Sequence, residues 1–156
     1  MPKNPCILIV TPEITYLPDR MGNATHHMRA KAGGLADVSA SLVSALFELG
    51  ADIHVALPHY RRMFNIDVGR LINNELRIYK RVLPDSQIHL AQDRIFYYQS
   101  EVYSSSADTS QRLALVFQRE VINNIIPKVN PDLIHCNDWM TGLIPAMARR
   151  HGIRSL

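Results

Sequence analysis

The sequence is short of the features that mark secreted, metal-bound or membrane-embedded chains. Only two of its 156 residues are cysteine, Cys6 and Cys136, too few for a disulfide framework, and neither stands in a zinc-ligand spacing. Both fall in apolar segments and read as small core hydrophobes in a reducing compartment. No apolar run is long enough to span a bilayer, so no membrane association is expected. Met1-Pro2-Lys3-Asn4-Pro5 leads into the first apolar run without a signal-peptide pattern, and a cytoplasmic location is expected. Charge of one sign is also scarce. The formal charge is +3, and Arg61-Arg62 and Arg149-Arg150 are isolated pairs, so a nucleic-acid partner is not expected. No Gly-x-Gly-x-x-Gly follows the first strand, which argues against a nicotinamide dinucleotide domain. Internal repeats, low-complexity tracts and linkers are missing too.

What is present suits one domain with a real core, since 47% of residues are hydrophobic. Residues 6–11 form a continuously apolar strand, as expected of a central parallel strand covered on both faces. A helix is predicted over 34–49, with Leu35, Val38, Leu42, Leu46 and Leu49 on its apolar face and Gly50 as its stop. Residues 52–57 form the second strand, completing a right-handed βαβ unit. His54 lies within it as a hydrogen-bonded core or face residue. Residues 75–83 and 94–100 read as strands of a hairpin, with 88–90 as a further fragment. Asp108 to Gln111 has capping-box spacing and starts a helix that stops near Pro127. Residues 132–136 form another buried strand. Asp138 or Thr141 caps a last helix, with Leu143, Ile144 and Met147 inward and Gly152 as its stop. Residues 153–156 lead into one more strand. The fold class is therefore Rossmann-like α/β: three layers, a parallel sheet with helices on both faces.

Residues 14–30 form a long connection containing Pro18, Gly22, His26 and His27. A loop of that length is expected either to be poorly ordered or to lie over a site as a lid. Adjacent histidines without a third partner do not make a metal site.

Lys31-Ala32-Gly33-Gly34-Leu35-Ala36-Asp37-Val38 carries the strongest functional signal. Two glycines at the start of a helix let a ligand approach the backbone. The helix N-terminus offers unpaired N–H groups and partial positive charge, and Lys31 adds a full charge. The combination suits a phosphate or diphosphate; a surface loop with a solvated lysine is the other reading.

Thr11-Pro12-Glu13 followed by this stretch resembles the N-terminal signature of bacterial glycogen synthases and plant starch synthases. A second resemblance lies in Pro131-Asp132-Leu133-Ile134-His135-Cys136-Asn137-Asp138-Trp139-Met140, with Leu143 and Pro145 beyond it. The pattern departs from the family at Asn137, where histidine is frequent, and at Met140, where histidine or glutamine stands. The resemblance implies part of the N-terminal domain of a retaining GT-B glycosyltransferase. Such an enzyme moves glucose from ADP-glucose or UDP-glucose to the non-reducing end of an α-1,4-glucan such as glycogen. It further implies that Lys31, Gly33, Gly34 and Asp37 serve the nucleotide-sugar side and Glu13, Asp138 and Trp139 the glucan side. The nucleotide sugar is then a substrate, and neither a cofactor nor a metal is expected. The strand carrying the family's donor-contacting histidine and the whole C-terminal domain lie beyond residue 156 in this comparison. The isolated chain is expected to be inactive, with the C-terminal domain of the same protein as partner. The alternative is a stand-alone α/β anion- or carbohydrate-binding module.

Overall fold

The computed structural model describes residues 4–22, 25, 29–60 and 87–156. Five strands form one sheet: β1 Cys6–Val10, β2 Asp52–Pro58, β3 Ile88–Ala91, β4 Leu133–Cys136 and β5 Arg154–Ser155. Their order is β3-β2-β1-β4-β5, and every pairing is parallel. β1 is central and buried along its whole length, as its unbroken apolar run demands. The β1-to-β2 and β3-to-β4 connections run in opposite directions across the sheet. Right-handed crossovers then place their helices on opposite faces, giving the three layers.

Helix α1 spans Leu35–Glu48. Gly50, at φ 79°, donates to the Phe47 carbonyl while Ala51 donates to Leu46, the paired bonds of a Schellman ending. The buried face of α1 differs from the expected one. Ala36, Ser39, Ala40 and Val43 face the core, whereas Val38 and Leu49 are exposed. Three small side chains let the helix axis come close to the sheet, and Leu42 and Leu46 fill the flanks.

The segment 94–100 is not a strand. Arg94–Tyr97 forms a short helix, α2, because the Asp93 side chain accepts from the Ile95 N–H at 2.9 Å and caps it. Phe96 is buried there and Tyr98 is exposed. The other arm of the expected hairpin, 75–83, lies outside the described residues. The fragment at 88–90 is a true strand, pairing parallel to β2.

Helix α3 spans Ala107–Glu120, and its cap is Ser106 rather than Asp108. Asp108 instead pairs with Arg112 one turn on, at 3.0 Å. The helical path continues past Pro127. A π-helical stretch, Val121–Ile125, leads into α4, Ile126–Val129, and the path ends at Asn130 in the left-handed conformation. The wider π turn makes room for the proline ring, which a regular turn lacks.

Helix α5, Ile144–Arg150, begins without a side-chain cap. Asp138 caps the preceding 3-10 turn, Trp139–Thr141. Leu143 points outward, against expectation, and Ile144 and Ala148 point inward. Gly152 closes α5 at φ 74°, again with the paired Schellman bonds.

The described residues of the connection after β1 are anchored rather than loose. Ile14, Leu17 and Met21 are buried, Asp19–Met21 forms a 3-10 turn, and Ile14 bridges Ala30 in antiparallel fashion. Apolar residues three and four apart turn one side of this segment into core, which overrides its turn-rich composition. His26 and His27 lie outside the described residues. Among the described residues no helix is long and apolar enough to cross a membrane.

Candidate functional site

The order of the sheet reverses between β1 and β4, the point beyond whose carboxyl ends open α/β sheets hold ligands. Glu13 follows β1 and Asp138 follows β4, so chain topology alone brings both to this crevice. Glu13 is buried, and one carboxylate oxygen, Oε2, accepts from the N–H groups of Ala32 and Gly33 at 2.6 and 2.8 Å. The loop carrying Lys31 is thus clamped to the end of β1. The Tyr103 hydroxyl lies 3.3 Å from Glu13 Oε1 and 2.9 Å from Asp138 Oδ2, tying the two carboxylates together.

Lys31 points to Asp37, with its ammonium 2.7 and 3.0 Å from the carboxylate oxygens. Thr15 Oγ1 donates to the same carboxylate at 2.6 Å. The hydrogen bonds from Lys31 and then Thr15 hold the Asp37 carboxyl below the usual range. Both partners of the ion pair stay substantially exposed, so an incoming anion can compete for Lys31.

Neither Gly33 nor Gly34 adopts a positive φ. A Cβ at Gly34 would meet nothing within 4 Å, and one at Gly33 would make only an ordinary contact with Glu13. The fold therefore does not require glycine at either position. What the bare backbone offers is open approach from outside. No side chain caps this end of α1, which leaves first-turn N–H groups for a ligand.

A cavity of about 440 Å³ opens beside the loop, lined by Arg29, Lys31, Tyr60, Glu101 and Tyr103 among others. Two cations, a carboxylate and two phenols make it polar. Burial raises both phenol pKa values well above the ordinary range. The Glu13 and Asp138 charges add to this at Tyr60, and the Asp138 hydrogen bond adds to it at Tyr103.

Asp138 has φ 75° and ψ 161°, a region that side-chain-bearing residues rarely occupy, at a cost of about 1–3 kcal/mol. Its carboxylate accepts from the Trp139 N–H at 2.7 Å, and Thr141 Oγ1 donates to the Asn137 and Asp138 carbonyls. Trp139 is exposed, as a sugar-stacking residue must be, but does not line the cavity. Met140 is buried, so its departure from the family pattern is a matter of core packing.

Asn137 also has a structural role. His135 Nε2 lies 2.9 Å from Asn137 Oδ1, and Asn137 Nδ2 donates to Ser39 Oγ at 3.1 Å. Ser39 Oγ is 3.1 Å from Thr11 Oγ1, which donates to the Glu13 carbonyl at 2.9 Å. Because the last link uses the Thr11 proton, Ser39 must donate to Thr11. The amide oxygen must then accept from His135, which fixes the proton on Nε2. This chain braces β4, α1 and β1 beneath the crevice.

The sequence singled out Glu13, Lys31, Gly33, Gly34, Asp37 and Asp138 as candidates, and the structure places these at one edge of the sheet. Neither Tyr103 nor Tyr60 was among those candidates; the stretch His59-Tyr60-Arg61-Arg62 reads as an ordinary polar loop. Tyr60 had a signal, its position just past the carboxyl end of β2. Tyr103 had none, because its contacts are with residues far along the chain.

Fold and edge site together define a Rossmann-like α/β domain with a ligand-binding crevice at the carboxyl edge of its sheet. The family description "Starch synthase catalytic domain" matches residues 7–155, and the chain belongs to that family. It is 32% identical over 153 residues to a glycogen synthase of Moorella thermoacetica, covering 89% of this chain and 28% of that protein. It is 33% identical over 136 residues to a glycogen synthase of Exiguobacterium sibiricum, covering 78% and 28%. The catalytic domain of starch synthase IV from Arabidopsis thaliana, solved with ADP and acarbose, superposes with a TM-score of 0.64 at 18% identity. That match covers 94% of this chain and 30% of that one. The chain thus spans less than a third of the proteins it matches.

Proposed function

We propose that this chain forms part of a retaining glucosyltransferase. The reaction breaks the bond between glucose C1 and the diphosphate of ADP-glucose or UDP-glucose. It forms a bond from C1 to the terminal hydroxyl oxygen of an α-1,4-glucan, and the nucleoside diphosphate leaves together with that hydroxyl's proton. The observation that carries this reading is the Glu13 clamp. One carboxylate holds the Lys31 loop and, through Tyr103, sits in register with Asp138 at the sheet's ligand-binding edge.

In this reading Lys31 leaves Asp37 to meet the donor diphosphate, aided by the free N–H groups that begin α1. Gly33 and Gly34 let the phosphates come against the backbone, and Asp37 holds Lys31 in place until the donor arrives. Asp138 faces the glucan hydroxyls as an acceptor of hydrogen bonds, Glu13 serves the glucan side from beneath by holding the loop and Tyr103, and Trp139 offers a flat face to a pyranose. No metal or cofactor takes part. The chain presents one wall of a cleft. A second domain supplies the other, excluding water from the reacting C1.

The test is transfer of labelled glucose from ADP-glucose and UDP-glucose to glycogen. Full-length protein, its Lys31→Ala variant and the 1–156 fragment are compared side by side. Transfer by the full-length protein alone, with a large loss in Lys31→Ala, supports the reading. Transfer by the fragment, or an unaffected variant, overturns it.

A further inference from the structure

At the opposite end of the sheet, where β1 and β2 begin, three metal-ligating side chains of different chemistry converge. Cys6 opens β1 and Asp52 opens β2, and the two are registered partners. His54 lies two residues on and therefore on the same face. The Cys6 sulfur, an Asp52 carboxylate oxygen and a His54 ring nitrogen all lie within 4.8 Å of one another. We propose that Cys6, Asp52 and His54 bind one divalent ion of the zinc class, stapling β1 to β2 at the edge remote from the crevice.

The donor set selects the ion. A thiolate favours zinc or cobalt over magnesium or calcium, and imidazole suits the same metals. Bonds to zinc of about 2.0–2.3 Å place neighbouring ligand atoms roughly 3.3–3.8 Å apart, so small side-chain rotations complete the site. His54 Nε2 already lies 3.4 Å from Asp52 Oδ1. Its other ring nitrogen, Nδ1, lies 2.9 Å from His89 Nε2 on the neighbouring strand. Metal-binding histidines are oriented by such a second partner. Binding displaces the Cys6 thiol proton to solvent, and thiolate plus carboxylate balance the ion's two charges. Asp52 is about half exposed, so a water can take the fourth position. No zinc spacing appears in the sequence because the ligands come from two strands.

The test is cobalt(II) titration of untagged, reduced, metal-free protein. Wild type is expected to bind one ion, with visible d–d bands, a near-ultraviolet thiolate-to-cobalt band and displacement by zinc. Cys6→Ser should abolish the thiolate band and His89→Gln should weaken binding about 10–100-fold. Cys136→Ser, altered at the far end of β4, should bind as wild type does. Asp52→Asn, at an exposed position, guards against loss of fold and should also weaken binding. The adjacent His26 and His27 cannot produce a thiolate band. No thiolate band in wild type, or the same band in Cys6→Ser, overturns the proposal.

Discussion

The buried Glu13 carboxylate lies 2.8 Å from the Gly33 N–H. An internal anion thus already occupies two of the backbone donors in the loop that sequence reasoning assigned to a phosphate. The loop is held in shape before any ligand arrives, and the groups left for that ligand are Lys31 and the first turn of α1. Replacing Glu13 by Ala releases both the Ala32 and Gly33 donors and should cost about 2 kcal/mol of stability. Hydrogen exchange should show lost protection at Ala32 and Gly33, and chemical denaturation should show the lower stability. Unchanged exchange at both amides would mean the clamp does not hold the loop.

Asp37 and Lys31 make a pH-dependent pair. The folded-state carboxyl is depressed, so the stabilisation is present above the unfolded value of about 3.9 and lost as pH falls through the lower folded value. Carboxyl NMR should place the Asp37 midpoint below that of an ordinary aspartate, and Lys31→Ala should return it upward. Both side chains are exposed, so melting temperature should barely move. In the full-length protein, Lys31→Ala should reduce glucosyl transfer on the order of a hundredfold or more.

Tyr103→Phe removes the donor shared by Glu13 and Asp138 and should destabilise the protein by about 1–3 kcal/mol at neutral pH. In wild type the raised folded-state pKa values of Tyr60 and Tyr103 act in the alkaline range. Their stabilisation is complete below about pH 10 and drains as pH rises through the folded values. Tyr103→Phe should therefore lose less stability than wild type between neutral and strongly alkaline pH. Denaturation midpoints across that range measure the difference; parallel curves would rule out this role for Tyr103.

Two substitutions at Asp138 separate its backbone from its side chain. Asp138→Ala keeps the unfavourable φ and loses both the Tyr103 contact and the cap on Trp139. Asp138→Gly loses the same bonds but adopts the conformation freely. The glycine variant should be the more stable by about 1 kcal/mol or more, and both should bind malto-oligosaccharide more weakly in full-length protein. An alanine variant as stable as the glycine one would show that Asp138 is unstrained.

The regular elements that rest on local pattern were legible in the sequence. β1 shows an unbroken apolar run, and α1 ends at a glycine that its left-handed turn requires. The placement of Glu13 and Asp138 followed from their position just past strands, without knowledge of their contacts. Illegible features depended on packing or on distant residues. The buried face of α1 runs through alanines, which hydrophobic spacing undervalues against Val38. Residues 94–97 have β-forming side chains, yet the Asp93 cap decides their conformation. Tyr103 meets Glu13 across 90 residues of chain, and no local motif announces such a contact.

The central position of β1 has a consequence during synthesis. Its partner on one side, β4, starts at Leu133, 123 residues after β1 ends at Val10. At about 5–20 residues per second, one edge of Cys6-Ile7-Leu8-Ile9-Val10 waits roughly 6–25 s for its mate. The nascent chain therefore leaves the ribosome with its most apolar strand half-paired, a natural client for a chaperone until the other half of the sheet emerges.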